Sequence, residues 1–393
     1  MKVGILTFHS QLNYGGVLQC WALKTALEGM GHEVVVVDRW LTPDNEMLEG
    51  PFGRASLREW LEIGLKAIMG CGHGGLVLRY WRTRKFVKGL SLTPYHFYEW
   101  KEAPKDLGID CLIVGSDQVW HGGDWGDPRV YLLEEAGCRI RKAIAYAASF
   151  GLEELPGEYD YANGFKRFTA ISVRETSGIG LVKGAGFVGD VVHVVDPTLL
   201  IDKESWRMMS DDCRLARRHA RSKVLVCYFL TQDVNEALPI LEEWARQNAY
   251  EVKVVVDLYF KPVPRSLGDL AGRVSDMVKR SCVKICTGLG PGEFVREFSL
   301  ADAVVTDSFH AVMFASIFGT NCRFLKAASA MRRRMFGRIC DFADRCVKGA
   351  FFAEDLAAAL CSIRTDVPIQ YDAKYIEKRR QESKAWLKSA VGA

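Results

Sequence analysis

The strongest constraint on the fold is one repeated pattern. A short apolar run, in several cases closing on a polar residue, is followed by a stretch with helical spacing. The runs are Val3–Phe8, Val34–Asp38, Asp110–Gly115, Lys142–Ser149, Phe168–Arg174 and Val191–Asp196, and then, after a charged stretch, Val224–Leu230, Val252–Val256 and Ala303–Thr306. Between the first two, Val17, Leu18, Trp21, Ala22, Thr25 and Leu27 recur at helical intervals up to Gly29 and Gly31. Apolar strands alternating with helices define βαβ units and a parallel sheet buried on both faces. In such sheets ligands bind beyond the carboxyl ends of the strands, where these polar residues fall.

Two such series in tandem set the expected organisation. The first domain covers 1–205, with an irregular, partly helical insertion at about 41–105. The second covers 222–345, and terminal helices fill 346–393. A chain of 393 residues is long for one core, so two domains with a cleft between them are expected.

The stretch richest in chemistry is Thr306-Asp307-Ser308-Phe309-His310, between the strand Ala303–Val305 and an apolar helix closing at Gly319. Asp307 or Ser308 is placed to cap that helix, and His310 falls in its first turn, where free N–H groups and the dipole favour an anion. An imidazole titrating near neutrality suits acid/base work, with Asp307 or Ser308 orienting it. The plainer alternative is a capped helix whose histidine satisfies a backbone group. The first series supplies edge residues of its own: Ser116 and Asp117, Ser149, and Arg174. Arg174 has a planar fork suited to carboxylate and phosphate, although it could instead form a surface pair with Glu175. Asn13-Tyr14-Gly15-Gly16 puts backbone N–H groups at a helix start, or is a plain turn. It is not the G-x-G-x-x-G fingerprint, so no dinucleotide cofactor is expected.

Net charge excludes little but one class. With 52 basic and 48 acidic residues the chain carries +4, which gives no general case for nucleic acid. The run Arg79-Tyr80-Trp81-Arg82-Thr83-Arg84-Lys85-Phe86 could rest on a membrane surface or an acidic polymer; a solvated helix face with packed aromatics is the plainer account. Arg214, Arg217, Arg218 and Arg221 read as another solvated helix. The start lacks a secretory pattern and no long apolar span occurs, so a cytoplasmic protein is expected. The twelve cysteines are scattered, many inside apolar runs, which fits free thiols in a reducing compartment. Cys282 and Cys286 could share a helix face, but with no second ligand pair nearby no metal is expected.

Taken in order, six blocks resemble the polysaccharide pyruvyl transferase family. They are Gly4–Phe8 with Asn13–Gln19, Ile113–Trp120, Tyr146–Gly151, Ile171–Glu175, Asp196–Leu200 and Thr306–His310. The resemblance implies two Rossmann-like domains facing a central cleft, as in the GT-B architecture. It also implies transfer of pyruvate from phosphoenolpyruvate to two hydroxyls of a sugar, giving a cyclic ketal on a cell-surface glycan or its precursor. Phosphoenolpyruvate would be a substrate, with no cofactor, and the acceptor a glycan. If that acceptor is lipid-linked, the 79–86 run gains a role at the inner face of the membrane. The candidate catalytic residues are then His310, Arg174 and Asp307. The candidate binding residues are Asn13, Tyr14, Gly15, Gly16, Ser116, Asp117, Ser149, Ser308 and Arg334. Arg334 is matched from Arg332-Arg333-Arg334, where the family usually shows Asn-Ser-Arg. The chain also carries His121 where members often have asparagine, and Ser308 where some have arginine. Two rivals stand beside this reading. A nucleotide-sugar-dependent glycosyltransferase of GT-B type would bind uridine or guanosine diphosphate sugars. A non-catalytic glycan-binding protein would release no phosphate from phosphoenolpyruvate.

Overall fold

A computed structural model describes residues 1–10, 12–39, 73–122, 127–134, 136–211, 222–256, 282–326, 337–365 and 368–392. The first domain holds strands β1 (Lys2–Leu6), β2 (Glu33–Arg39), β3 (Leu92–Phe97), β4 (Cys111–Val114), β5 (Ala143–Ala148), β6 (Ala170–Val173) and β7 (Val191–His193). They form one parallel sheet ordered β3-β2-β1-β4-β5-β6-β7. The order reverses between β1 and β4, the switch point at which doubly wound sheets open a crevice. The second domain holds β8 (Lys223–Phe229), β9 (Tyr250–Val256), β10 (Val283–Cys286), β11 (Ala303–Thr306) and β12 (Asn321–Leu325). After β13 (Val347–Lys348) comes β14 (Phe352–Ala353), and the parallel order is β10-β9-β8-β11-β12-β14. β13 pairs with β15 (Gln370–Tyr371) as a small antiparallel ribbon. These are two Rossmann-like domains.

The apolar runs became strands because both faces of each sheet are covered. β4 and β5 are buried at every position, which only apolar and small residues tolerate. Three features of the chain depart from the sequence reading. The stretch 73–105 is not irregular: the helix His73–Lys88 leads into β3, an edge strand where Pro94 costs no ladder bond. The segment after 345 is not only helical, since β14 and the helix Leu356–Thr365 complete the second domain. The helix Ala373–Val391 is charged outside yet buries Ile376, Leu387 and Val391. It returns to the first domain, where Arg380 donates to the Leu199 carbonyl and Lys142 to that of Val391. The expected helix at 57–69 and the arginines at 214–221 lie outside the described residues.

One apolar cluster runs through both domains, joining Val3, Val36 and Ile113 of the first to Val226, Val304 and Phe314 of the second. Polar bolts reinforce it. Tyr14 stacks on Phe294 at 4.3 Å between ring centroids and donates to the Leu289 carbonyl. Two arginines of the basic run 79–86 belong to this joint. Arg79 is wholly buried, lies 4.0 Å from the Tyr14 ring centroid, and donates to the carbonyls of Leu12 and Val256. Arg82 donates to the Gly288 carbonyl and pairs with Glu293. Among the described residues no helix is long and apolar enough to cross a membrane.

Candidate active site

The first domain brings its polar residues together by strand register. Ser116 and Asp117 follow β4, Ser149 follows β5, Arg174 and Glu175 follow β6, and Asp196 follows β7. Arg174 is the hub. Its Nη1 donates to Asp196 Oδ2 at 2.9 Å and its Nη2 to Asp117 Oδ1 at 3.3 Å, with the side chain 1% exposed. Asp196 also caps the short helix Pro197–Leu200 through Thr198. Both Arg174 partners are therefore aspartates; the sequence alternative of a surface pair with Glu175 is not what forms. Burial is the largest single influence on Asp117 and raises its pKa, but Arg174, His310 and Arg338 nearby outweigh it and hold the carboxyl below its ordinary value. A buried arginine held by two buried carboxylates is a fixed structural unit.

Glu175 is held separately. Its Oε1 accepts from Ser149 Oγ and from the backbone N–H groups of Phe150 and Gly151, leaving Oε2 buried with no partner among the described residues. Ser149 is thus committed to Glu175. Ser116 is likewise committed: its hydroxyl donates to the Ala147 carbonyl, and its own carbonyl accepts from Thr7.

The second domain contributes the helix Phe309–Phe318, buried on nearly every face and closed by Gly319 in the left-handed region at φ 73°. Two expectations about its start are corrected. Asp307 does not orient His310. Its carboxylate accepts from the backbone N–H groups of Leu230, Thr231 and Gln232 and so closes the turn after β8. Ser308 occupies the cap position but makes no side-chain cap bond; its N–H donates to Thr306 Oγ1. The carboxylate nearest the imidazole is Asp196, with its Oδ2 3.8 Å from His310 Nε2. The same oxygen holds Arg174, so the guanidinium of one domain and the imidazole of the other meet on a single atom. His310 Nε2 is buried and has no hydrogen-bond partner among the described residues. Burial pushes its pKa down, against the pull of Asp196 and Asp117. Its resting form at neutral pH is therefore uncharged.

The Asn13–Gly16 segment serves this histidine in another way than expected. Asn13 Oδ1 accepts from the N–H groups of Gly15 and Gly16 and caps its own helix, so those donors are spent. Gly15 makes room: a Cβ there would fall 2.1 Å from His310 Nδ1. Tyr14 is a bolt of the domain joint, as described above.

One residue was not foreseen. Arg338, at the start of the helix Gly337–Cys346, lies 5.0 Å from the Phe309 ring centroid, against which Arg174 also packs at 4.8 Å. Its Nε and Nη1 are buried with no partner among the described residues. Burial, aided by Arg174 nearby, pulls its pKa down to about 10. A buried, underpaired cation is costly and is a mark of an anion site. The helix is fixed to the first domain by Asp341, which accepts from the N–H and hydroxyl of Thr176. The sequence signal was present in the arginine-rich run, but Arg334, the residue matched there, lies outside the described residues. Arg338 borders two clefts. One is lined also by Arg174, Asp196 and Phe309; the other by Glu175, Ser177 and Gly151. Cys282 and Cys286 flank and end strand β10 and do not share a helix face.

Two Rossmann-like domains with a polar site where their strand ends meet define a GT-B-like fold. Similar solved structures agree. The UDP-N-acetylglucosamine 2-epimerase of Rickettsia bellii matches with TM-score 0.52 and 10% identity, over 99% of this chain and 95% of its own. The UDP-GlcNAc 2-epimerase of Methanocaldococcus jannaschii matches with TM-score 0.50 and 13% identity, over 98% and 99%. At such identities the likeness concerns the fold alone. No curated protein matches the sequence. The polysaccharide pyruvyl transferase family model matches residues 13–326, most of the chain. The chain belongs to the polysaccharide pyruvyl transferase family, and is a transferase acting on polysaccharide.

Proposed function

We propose that the protein is a ketal pyruvyltransferase that takes pyruvate from phosphoenolpyruvate and bridges two hydroxyls of a glycan. The observation that carries this is two unsatisfied groups beside the Phe309 ring: the cationic Nε and Nη1 of Arg338, whose guanidinium lies 5.0 Å from the ring centroid, and the neutral Nε2 of His310, whose ring centroid lies 5.4 Å from it. Arg338 meets the donor's carboxylate or phosphate with charge-assisted hydrogen bonds. Arg174, locked between Asp117 and Asp196, offers only its unpartnered Nε and mainly holds Asp196 beside the imidazole.

The chemistry closes in protons and electrons. Neutral His310 takes a proton released by an acceptor hydroxyl and delivers it to C3 of the enol phosphate, so that C2 becomes oxocarbenium-like. One hydroxyl oxygen bonds to C2, the C2–O bond to phosphate breaks with its electron pair on phosphate, and the second hydroxyl oxygen bonds to C2. Of the two hydroxyl protons, one ends on C3 as part of the new methyl group and the other leaves with phosphate. Loss of one such acid/base group costs about 10²–10⁴ in rate. Asp196 supports the imidazolium formed in passing. No cofactor is needed. Buried thiols without disulfide partners, such as Cys20, Cys111 and Cys227, support a reducing, cytoplasmic setting.

The test is phosphate release from phosphoenolpyruvate against a panel of glycans, with mass spectrometry of the products. A glycan product carrying one added pyruvyl ketal is expected. Phosphate release with none of the panel, together with tight binding of a nucleoside diphosphate sugar, would replace this reading.

A further inference from the structure

We infer that the cleft between Arg338 and Glu175 is where the acceptor sugar sits, and that Glu175 is the residue that grips its hydroxyl pair. This rests on the ketal-transfer reading. Glu175 lines the cleft, is 3% exposed, and is held rigidly through Oε1 by three donors, Ser149 Oγ and the N–H groups of Phe150 and Gly151. That spends one oxygen on the scaffold and leaves Oε2, buried and unpartnered among the described residues. A carboxylate oxygen so placed is expensive unless a donor arrives, and it can only accept. The ligand must therefore present O–H or N–H groups. Gly151 lines the same cleft at φ 60° and admits no side chain, because Gln118 Nε2 packs against it where a Cβ would fall 2.1 Å away. An acceptor lining the cleft suits an uncharged polyol, whose hydroxyls can donate to it.

The position fits the reaction. Arg338 is common to this cleft and to the one bordered by Asp196 and Phe309. An anionic donor on Arg338 therefore lies next to a hydroxyl held by Glu175. Oε2 accepts a hydrogen bond from that hydroxyl and turns its oxygen lone pair toward C2 of the donor. A second anion is disfavoured here by the Glu175 charge, and Glu153 on the rim adds to this. The cleft thus selects a neutral diol over a nucleotide or another phosphate.

The experiment uses methyl hexopyranosides of gluco, galacto and manno configuration as probes, with binding followed by ligand-observed NMR in the presence of phosphoenolpyruvate. Donor affinity is measured separately by calorimetry. Glu175→Gln keeps an oxygen for the three scaffold donors but points an NH₂ into the cleft; it should weaken glycoside binding about tenfold or more, with donor affinity unchanged. Ser177→Tyr, at an exposed rim position that makes none of the Glu175 bonds, should block the glycoside by bulk and leave donor affinity unchanged. The wild-type protein should prefer at least one glycoside, and lose it when one hydroxyl of the pair is replaced by hydrogen. No glycoside binding by the wild-type protein, or glycoside binding in both variants as tight as in the wild type, overturns the inference while donor binding still supports the ketal-transfer reading. Failure of phosphoenolpyruvate to bind at all falls on that reading instead.

Discussion

Apart from Glu175 Oε2, the two halves of the site are built on opposite terms. On the first domain's edge, Ser116, Asp117, Ser149, Arg174 and Asp196 all have protein partners, so their positions are set before any substrate arrives. On the other side His310 and Arg338 are buried yet keep nitrogens without partners among the described residues. The contrast is sharpest between two arginines packed against the same Phe309 ring. Arg174 is paired twice, and Arg338 carries two unsatisfied nitrogens. A satisfied network rigidifies a site; an unsatisfied buried cation waits for an anion. Residue type alone does not separate frame from working group here. Partner count does.

The largest effect should come from breaking the frame. Arg174→Met strands the carboxylates of Asp117 and Asp196, and removing one partner of a buried pair costs about 3–5 kcal/mol. The melting temperature should fall sharply, and an unchanged melt would deny Arg174 its structural part. His310→Ala should do the reverse: the melt stays near wild type while turnover drops about 10²–10⁴-fold. Turnover near wild type would remove the imidazole from the mechanism. Asp307→Asn sharpens the correction made above. It weakens the turn after β8, with a loss on the order of 1–3 kcal/mol in stability, but should leave the pH profile of transfer in place. A shifted profile would return Asp307 to the imidazole.

The smallest predicted effect is in pH. His310 in the folded protein titrates below its ordinary value of 6.5 because burial disfavours the charged ring. Activity needs the neutral ring, so kcat/KM should hold constant down through pH 6.5 and fall only at lower pH. Stability follows the same sign. Between the folded value and 6.5 the unfolded chain binds more protons, so this group's contribution is complete above 6.5 and is lost as pH falls below it. An acid limb centred above 6.5 would contradict the burial argument.

The sequence carried the fold well where strands are buried on both faces. Val34–Val37, Cys111–Val114 and Ala303–Val305 could be little else, and β2, β4 and β11 follow them. It carried edge elements poorly. β3 is partly exposed and contains Pro94, so it leaves no apolar run, and β14 is only two residues long. At the site, residues on strand ends were legible because register puts them at one edge. That places Arg174, Asp196 and His310 together. What was not legible is the use of each group. Hydrogen-bond partners far away in sequence decide that Asp307 serves the turn at 230–232, that Arg79 crosses to Val256, and that Asp196 adjoins His310. Arg338 escaped because it sits on a helix, not a strand end, in a run of similar arginines where spacing does not single one out.

The most direct test is calorimetric titration of phosphoenolpyruvate into wild-type protein and into Arg338→Met, which keeps the bulk of the side chain and removes its charge. Loss of charge-assisted hydrogen bonds is worth about 1.5–3 kcal/mol, so the variant should bind the donor at least about tenfold more weakly at an unchanged melting temperature. Equal affinity in the two proteins would contradict the assignment of Arg338 as the group that receives the donor.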